Sequence, residues 1–223
     1  MAPASHALLP CCMPSATGCE WDSNASKTIP ACERDNLLTT LKFVNATLER
    51  VPWMLSYGTL LGSMRSGGHI PHETDIDVSV DVANWTAAVA QLTKAASAHA
   101  HIKVEVVTIR HRVVRPMARV FYSASNRVHT DVWQYERRAS CVDFLDQTKR
   151  RLFVHNSLIF PLGMCQYEDG EYPCPRDSLS VVATGFGADW RTPRRKYGPS
   201  ANWTDNLYHY NNERSCHRSS HHI

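Results

Sequence analysis

The sequence predicts one α/β (α+β) domain, a mixed sheet flanked by helices, and three observations carry that expectation. Residues 34–98 alternate helical periodicity with short β-rich runs, and residues 103–135 hold three extended runs in succession. The third observation is length, because 223 residues supply one sizeable core and would make two full domains unusual. An irregular Cys- and Pro-rich arm is expected over 1–33, the folded domain over 34–195 and a polar tail over 196–223.

The elements follow in order. Leu37, Leu38, Leu41, Val44, Asn45 and Leu48 fit the i, i+3, i+4, i+7 pattern of an amphipathic helix over 34–49, with Asp35 favouring its N-terminus and Pro52 beyond its end. Trp53 to Tyr57 reads as a short extended run. Gly58-Thr59 then opens a helix through Leu60, Leu61 and Met64 that stops at Gly67-Gly68. Asp75-Ile76-Asp77 begins a strand, and Trp85, Ala88, Val89 and Leu92 mark a helix over 83–98. Lys103–Ile109, Val113–Ser123 and Arg127–Tyr135 read as strands, with Ser-Ala-Ser-Asn at 123–126 suiting a hairpin. Residues 136–175 read as loop and short strands, anchored by Phe160-Pro161-Leu162, and a helix is expected from Arg176-Asp177-Ser178 to 184.

The acidic strand carries the chemistry. Side chains at i and i+2 share a face of a strand, so Asp75 and Asp77 stand side by side while Ile76, Val78 and Val80 face a core. Two carboxylates on one face suit Mg²⁺ or Mn²⁺, hard cations that select oxygen ligands and complete their shell with substrate phosphate. A helix N-terminus at Gly58-Thr59 offers unpaired N–H groups to a phosphate, and Arg65 adds a charge-assisted partner. A third carboxylate is wanted as ligand or base; Asp131, which shares a face with His129 and Trp133, is the candidate, and Glu105 is the weaker alternative. Together these residues are a design for transfer at phosphorus. His72 and His129 lie near that site in sequence terms, whereas His217, His221 and His222 belong to the polar tail. The basic run Arg191–Lys196 reads as solvated surface, with steering of an anionic donor as the sharper alternative.

Composition bounds the setting. A formal charge of +3 with 20% charged residues is too balanced for a nucleic-acid binder held by electrostatics. Eight cysteines and sequons at Asn24, Asn45, Asn84 and Asn202 point to the lumen of the secretory pathway, with the cytoplasm as the alternative. Residues 1–15 lack a basic start and an apolar run, so they do not read as a secretory signal, and no stretch approaches 18 apolar residues, so no membrane span is expected. Oligomeric state is not legible.

The run YGTLLGSMRSGGHIPHETDIDVSV at 57–80 resembles the signature of the LicD/fukutin (fukutin-related) family: Gly58, Thr59, Leu60, Leu61, Gly62, Arg65, Gly68, Ile70, Pro71, Asp75, Ile76, Asp77 and Val78 occupy its positions. Weaker similarity extends over 35–195, through His129–Trp133, Phe160-Pro161-Leu162, Tyr172–Ser178 and GADWRTP at 187–193. The resemblance implies a nucleotidyltransferase-like fold and metal-dependent transfer of a substituted phosphate, such as a phosphocholine or polyol phosphate, from a CDP-linked donor to a glycan hydroxyl, in the Golgi for eukaryotic members. It assigns Asp75 and Asp77 as metal ligands, Gly58, Thr59 and Arg65 as donor-phosphate contacts, and Asp131 as ligand or general base. The family pattern has Trp-Asp after Ile-Pro, where this chain has His72-Glu73, so Glu73 becomes a longer-reaching metal ligand. That departure motivates the alternative reading, a lumenal module of the same fold that binds a glycan or partner without turnover. A third class, a cytosolic nucleotidyltransferase acting on small molecules or RNA, stays behind these. Some members carry a zinc-binding insert; the cysteines here lack Cys-x-x-Cys spacing and suit disulfides or free thiols better.

Overall fold

A computed structural model describes residues 29–110, 114–126, 128–145 and 152–192. Cys11, Cys12, Cys19 and Cys216, the sequons at Asn24 and Asn202, residues 193–196 of the basic run and the C-terminal histidines lie outside the described residues. Among those described, five helices (α1, Ala31–Thr47; α2, Tyr57–Ser66; α3, Trp85–Ser97; α4, Asn156–Ile159; α5, Ser178–Phe186) accompany nine strands. The strands are β1 (Trp53–Leu55), β2 (Asp75–Asp81), β3 (Lys103–Arg110), β4 (Val114–Phe121), β5 (His129–Arg137), β6 (Cys141–Leu145), β7 (Leu152–His155), β8 (Gly163–Tyr167) and β9 (Gly170–Cys174).

The class is the expected one, a curled mixed sheet with helices against it. Its path runs β1-β2-β5-β4-β3. β2 and β5 are parallel; the other pairs are antiparallel. β5 is the hub, because its first half pairs with β4 and its second half with β6. The 123–126 hairpin joins β4 to β5, and its buried Asn126 donates from Nδ2 to the buried Glu33 carboxylate of α1 at 3.2 Å.

One face of the sheet is the core. Ile76, Val78, Val80, Ala118, Val120, Thr130 and Val132 are fully buried there, beneath α1, whose Leu37, Leu41 and Val44 recur at helical spacing. Thr40 and Thr130 hydroxyls meet at 2.8 Å between helix and sheet. Helix α3 presents Ala88, Leu92 and Ala96 to the same core, next to β3. Helix α1 begins at Ala31, within the stretch expected to be arm, and Leu48 packs just past its end.

Of residues 136–175, read as loop and short strands, the described ones hold more strand than loop: four short strands and a helical turn. The strands are short and their polarity is mixed; Pro173 inside β9 argues against a strand in the sequence but is accommodated in a two-stranded ribbon. The β8–β9 hairpin is crosslinked by Cys165–Cys174. Cys32 and Cys141 are disulfide-bonded as well, so the described cysteines present no thiolate to zinc.

That hairpin braces the end of α2. Gly67 closes the helix at φ 71°, Gly68 N–H reaches the Gly62 carbonyl, and Glu168 N–H donates to the Gly67 carbonyl at 2.8 Å. Glu168 Oε1 in turn accepts from the His69 amide at 2.7 Å. A Cβ on Gly62 would stand 2.4 Å from the Gly68 carbonyl oxygen and 3.2 Å from Ile70 Cγ1. Gly62→Ala should therefore cost about 1–3 kcal/mol by overpacking backbone against backbone. Urea unfolding would register it as a lower midpoint, and an unchanged midpoint would contradict the tight return of the chain over α2.

Candidate active site

The face of the sheet opposite α1 carries the polar residues. The β2–β5 register sets Asp75 beside His129 and Asp77 beside Asp131, so two strands deliver four chelating side chains to one patch. Ligand atoms of Asp75, His129 and Asp131 lie within 4.8 Å of one another. Asp77 and Glu73 stand outside that trio but close to it. Asp77 Oδ1 accepts a hydrogen bond from Trp133 Nε1 at 2.8 Å. Its Oδ2 and the Glu73 carboxyl carbon lie 3.6 and 4.0 Å from where a Gly58 Cβ would be. Glu105 is farther off, opposite Arg119 on β3, with β4 between it and β5.

The electrostatics ask for a cation. Burial pushes the Asp77 carboxyl well above the ordinary range, and the neighbouring Asp75 and Asp131 push it the same way. Burial also raises Asp131, to about 6, against the opposing charge and hydrogen bonds of Arg119. Arg119 donates from Nε to Asp131 Oδ1 at 2.9 Å and from Nη2 to Oδ2 at 3.4 Å. The same Oδ1 is 3.3 Å from His129 Nε2. This guanidinium contacts Asp131, while Asp75, Asp77 and Asp131 repel one another, and a divalent ion would relieve that repulsion; the donor set fits such a group.

Helix α2 aims its N-terminus at this patch. Ser56, its N-cap, makes no side-chain cap; its hydroxyl instead accepts from Ser79 Oγ at 2.9 Å. Tyr57 opens the helix at φ 46°, a left-handed conformation rare for a bulky residue, with its ring against Trp133 and Phe144 at 5.7 and 6.0 Å. Gly58 follows, facing Asp77. Arg65, one face and two turns along, is half-buried and interacts with Glu73.

Thr59 is placed differently from its neighbours. It is buried, its Oγ accepts from the Asp77 amide at 2.7 Å, and it neighbours Tyr167. Tyr167 OH meets His69 Nδ1 at 2.9 Å, and His69 Nε2 meets the Glu73 carbonyl at 2.9 Å. Burial pushes the His69 imidazole down, so it is neutral at pH 7. A neutral ring satisfies the chain with one assignment: Nε2–H donates to Glu73 and Nδ1 accepts from Tyr167. Thr59 thus holds the backbone of Asp77, and the Tyr167–His69 pair beside it holds that of Glu73, fixing the two ends of the acidic segment.

Sequence reasoning missed Arg119, His69 and Tyr167. Arg119 left a faint signal, a lone arginine between the core residues Ala118 and Val120 at the parity of the polar face. His69 and Tyr167 left none, because they meet across 98 residues.

The sequence matches the family model described as LicD/FKTN/FKRP, nucleotidyltransferase domain, over residues 50–177. A search of curated proteins finds no match.

Proposed function

The chain belongs to the LicD/FKTN/FKRP family through its nucleotidyltransferase domain, and from that premise we propose that it transfers a substituted phosphate, of phosphocholine or polyol-phosphate type, from a CDP-activated donor to a glycan hydroxyl. The observation that carries this reading is the register of β2 with β5, which gathers Asp75, Asp77, His129 and Asp131 near Gly58 at the start of α2. Asp75, Asp77 and Asp131, with Glu73 at the margin, would hold Mg²⁺ or Mn²⁺, which supplies neutralisation of charge on the phosphoryl oxygens. The Gly58 amide and the Arg65 guanidinium bind and orient the donor phosphates, and Thr59 holds Asp77 in place from beneath. The acceptor oxygen attacks the phosphorus attached to the transferred group, the bond to CMP breaks, and the acceptor proton leaves to a carboxylate. Asp131, raised to about 6, is suited to take it when it is not itself a ligand.

A lumenal setting is supported by the disulfides at Cys165–Cys174, Cys32 and Cys141 and by the half-buried sequon residues Asn45 and Asn84. Asn84 stands at the N-cap of α3 without using its side chain there. No helix among the described residues is long and apolar enough to cross a membrane.

A panel of CDP-linked donors with Mg²⁺ or Mn²⁺ tests the proposal, CMP release and glycan mass being the readouts. In the same assay Gly58→Ala should leave the melting temperature unchanged, since its Cβ would make ordinary contacts, and weaken donor binding about tenfold. The alternative, a binding module without turnover, draws on His72-Glu73, where the His72 ring faces the Glu73 carboxylate at 3.6 Å. Folded protein that binds neither CDP nor its conjugates in the presence of metal would favour that module and sink the transferase.

A further inference from the structure

We infer that His129 is a nitrogen ligand of the proposed metal site and makes it select Mn²⁺ over Mg²⁺. The inference rests on the metal-dependent reading above and adds to it a residue and a preference. His129 stands directly across from Asp75 in the parallel register and two residues before Asp131 on the same face of β5. Its side chain is 16% exposed, and its ring packs on Phe121 with centroids 5.2 Å apart and planes at 56°. That packing holds Nε2 at 3.3 Å from Asp131 Oδ1.

Two ligands of one ion at ~2.1 Å are ~3 Å apart when adjacent and ~4.2 Å apart when opposite. The trio's atoms lie within 4.8 Å of one another, so rotamer adjustment of less than ~1 Å completes a shared site. Mg²⁺ prefers an all-oxygen octahedron and gives up its waters reluctantly, whereas imidazole is a better ligand to the transition ions, Mn²⁺ being the member of that series that also favours carboxylates. A site of carboxylates and one imidazole therefore discriminates between the two ions through the nitrogen, with Asp75, Asp77 and Asp131 serving either.

Titration calorimetry of the full chain with Mn²⁺ and Mg²⁺, together with pulsed electron paramagnetic resonance of the Mn²⁺ complex, tests this. The wild type should show ¹⁴N modulation from a bound imidazole and bind Mn²⁺ at least ~10-fold more tightly than Mg²⁺. His129→Gln should lose the ¹⁴N signal and about tenfold in Mn²⁺ affinity, while its Mg²⁺ affinity stays within about twofold. Wild-type Mn²⁺ binding without ¹⁴N modulation overturns the inference whether or not the variant folds, leaving His129 as an ion-pair neighbour of Asp131. Equal loss for both ions overturns it too, and leaves the carboxylate site standing. If neither ion binds the wild type, both the inference and the metal-dependent reading fall.

Discussion

Asp77→Asn should lower turnover by roughly 10²–10³-fold or more, the scale set by loss of one preorganised electrostatic group, and yet make the metal-free chain more stable. The two effects share one cause. Asp77 is a buried carboxylate crowded by Asp75 and Asp131, and its negative charge is uphill in the absence of a cation. Asparagine keeps the shape and the oxygen that accepts from Trp133 Nε1 while removing the charge. Asp77→Ala should be as inactive but less stable than Asn by about 1–3 kcal/mol, because the indole N–H loses its acceptor. Steady-state kinetics and thermal melts of both variants in EDTA check this. Near-normal, metal-dependent activity in Asp77→Asn would eliminate Asp77 from the machinery; a lower melting temperature for Asn than for wild type would remove the account of a charge held against its own environment.

The second large effect is the coupling of metal, proton and stability. Asp131 has its folded pKa raised from the ordinary 3.8 to about 6. Between those values the folded chain holds a proton that the unfolded chain releases, so this carboxyl's contribution is greatest below pH ~4 and is lost as pH rises through ~6, on the order of 3 kcal/mol. Asp77, also raised, acts in the same direction. His69 acts oppositely: its lowered pKa means that acidification favours the unfolded chain below the ordinary histidine range. The difference between wild type and Asp131→Asn isolates the carboxyl. That difference should fall monotonically between pH 4 and 6, the wild type losing stability relative to the variant, and be flat on either side. Since a divalent ion needs the deprotonated carboxylate, saturating Mn²⁺ should raise the melting temperature several degrees more at pH 7.5 than at pH 5. An increment that does not vary with pH, in scanning fluorimetry against EDTA, would dissociate the cation from Asp131.

The legible parts of the sequence were those in which local pattern and tertiary role agree. The heptad-like spacing of Leu37, Leu41 and Val44 named both the helix and its buried side, and the alternation around Asp75 and Asp77 named both a strand and its two faces. Asp131 was found because its own strand repeats that alternation. What local pattern could not convey was how neighbouring side chains are used. Thr59 looks like a phosphate ligand from its place in a helix-opening turn, yet its hydroxyl is committed beneath Asp77. His129 reads as an incidental neighbour until the register of β2 with β5 puts it opposite Asp75. Short strands are legible in 136–175 but their bounds and pairing are not, because each is stabilised by its partner and, for β8 and β9, by a covalent crosslink rather than by its own apolar alternation.

The parallel pairing of β2 with β5 also fixes when the site can exist during folding. Contacts such as Trp133 to Asp77 close a loop of 56 residues, and such long loops are entropically costly to close until intervening structure shortens them. Helix α3 and the β3–β4 hairpin lie inside that loop and can organise locally, so they are the elements expected to form before β5 docks. Nascent chains that end before β5 carry Asp75 and Asp77 without Asp131 or His129, and have half a chelate. A cation held by these residues would thus report completed topology, holding the finished fold without nucleating it.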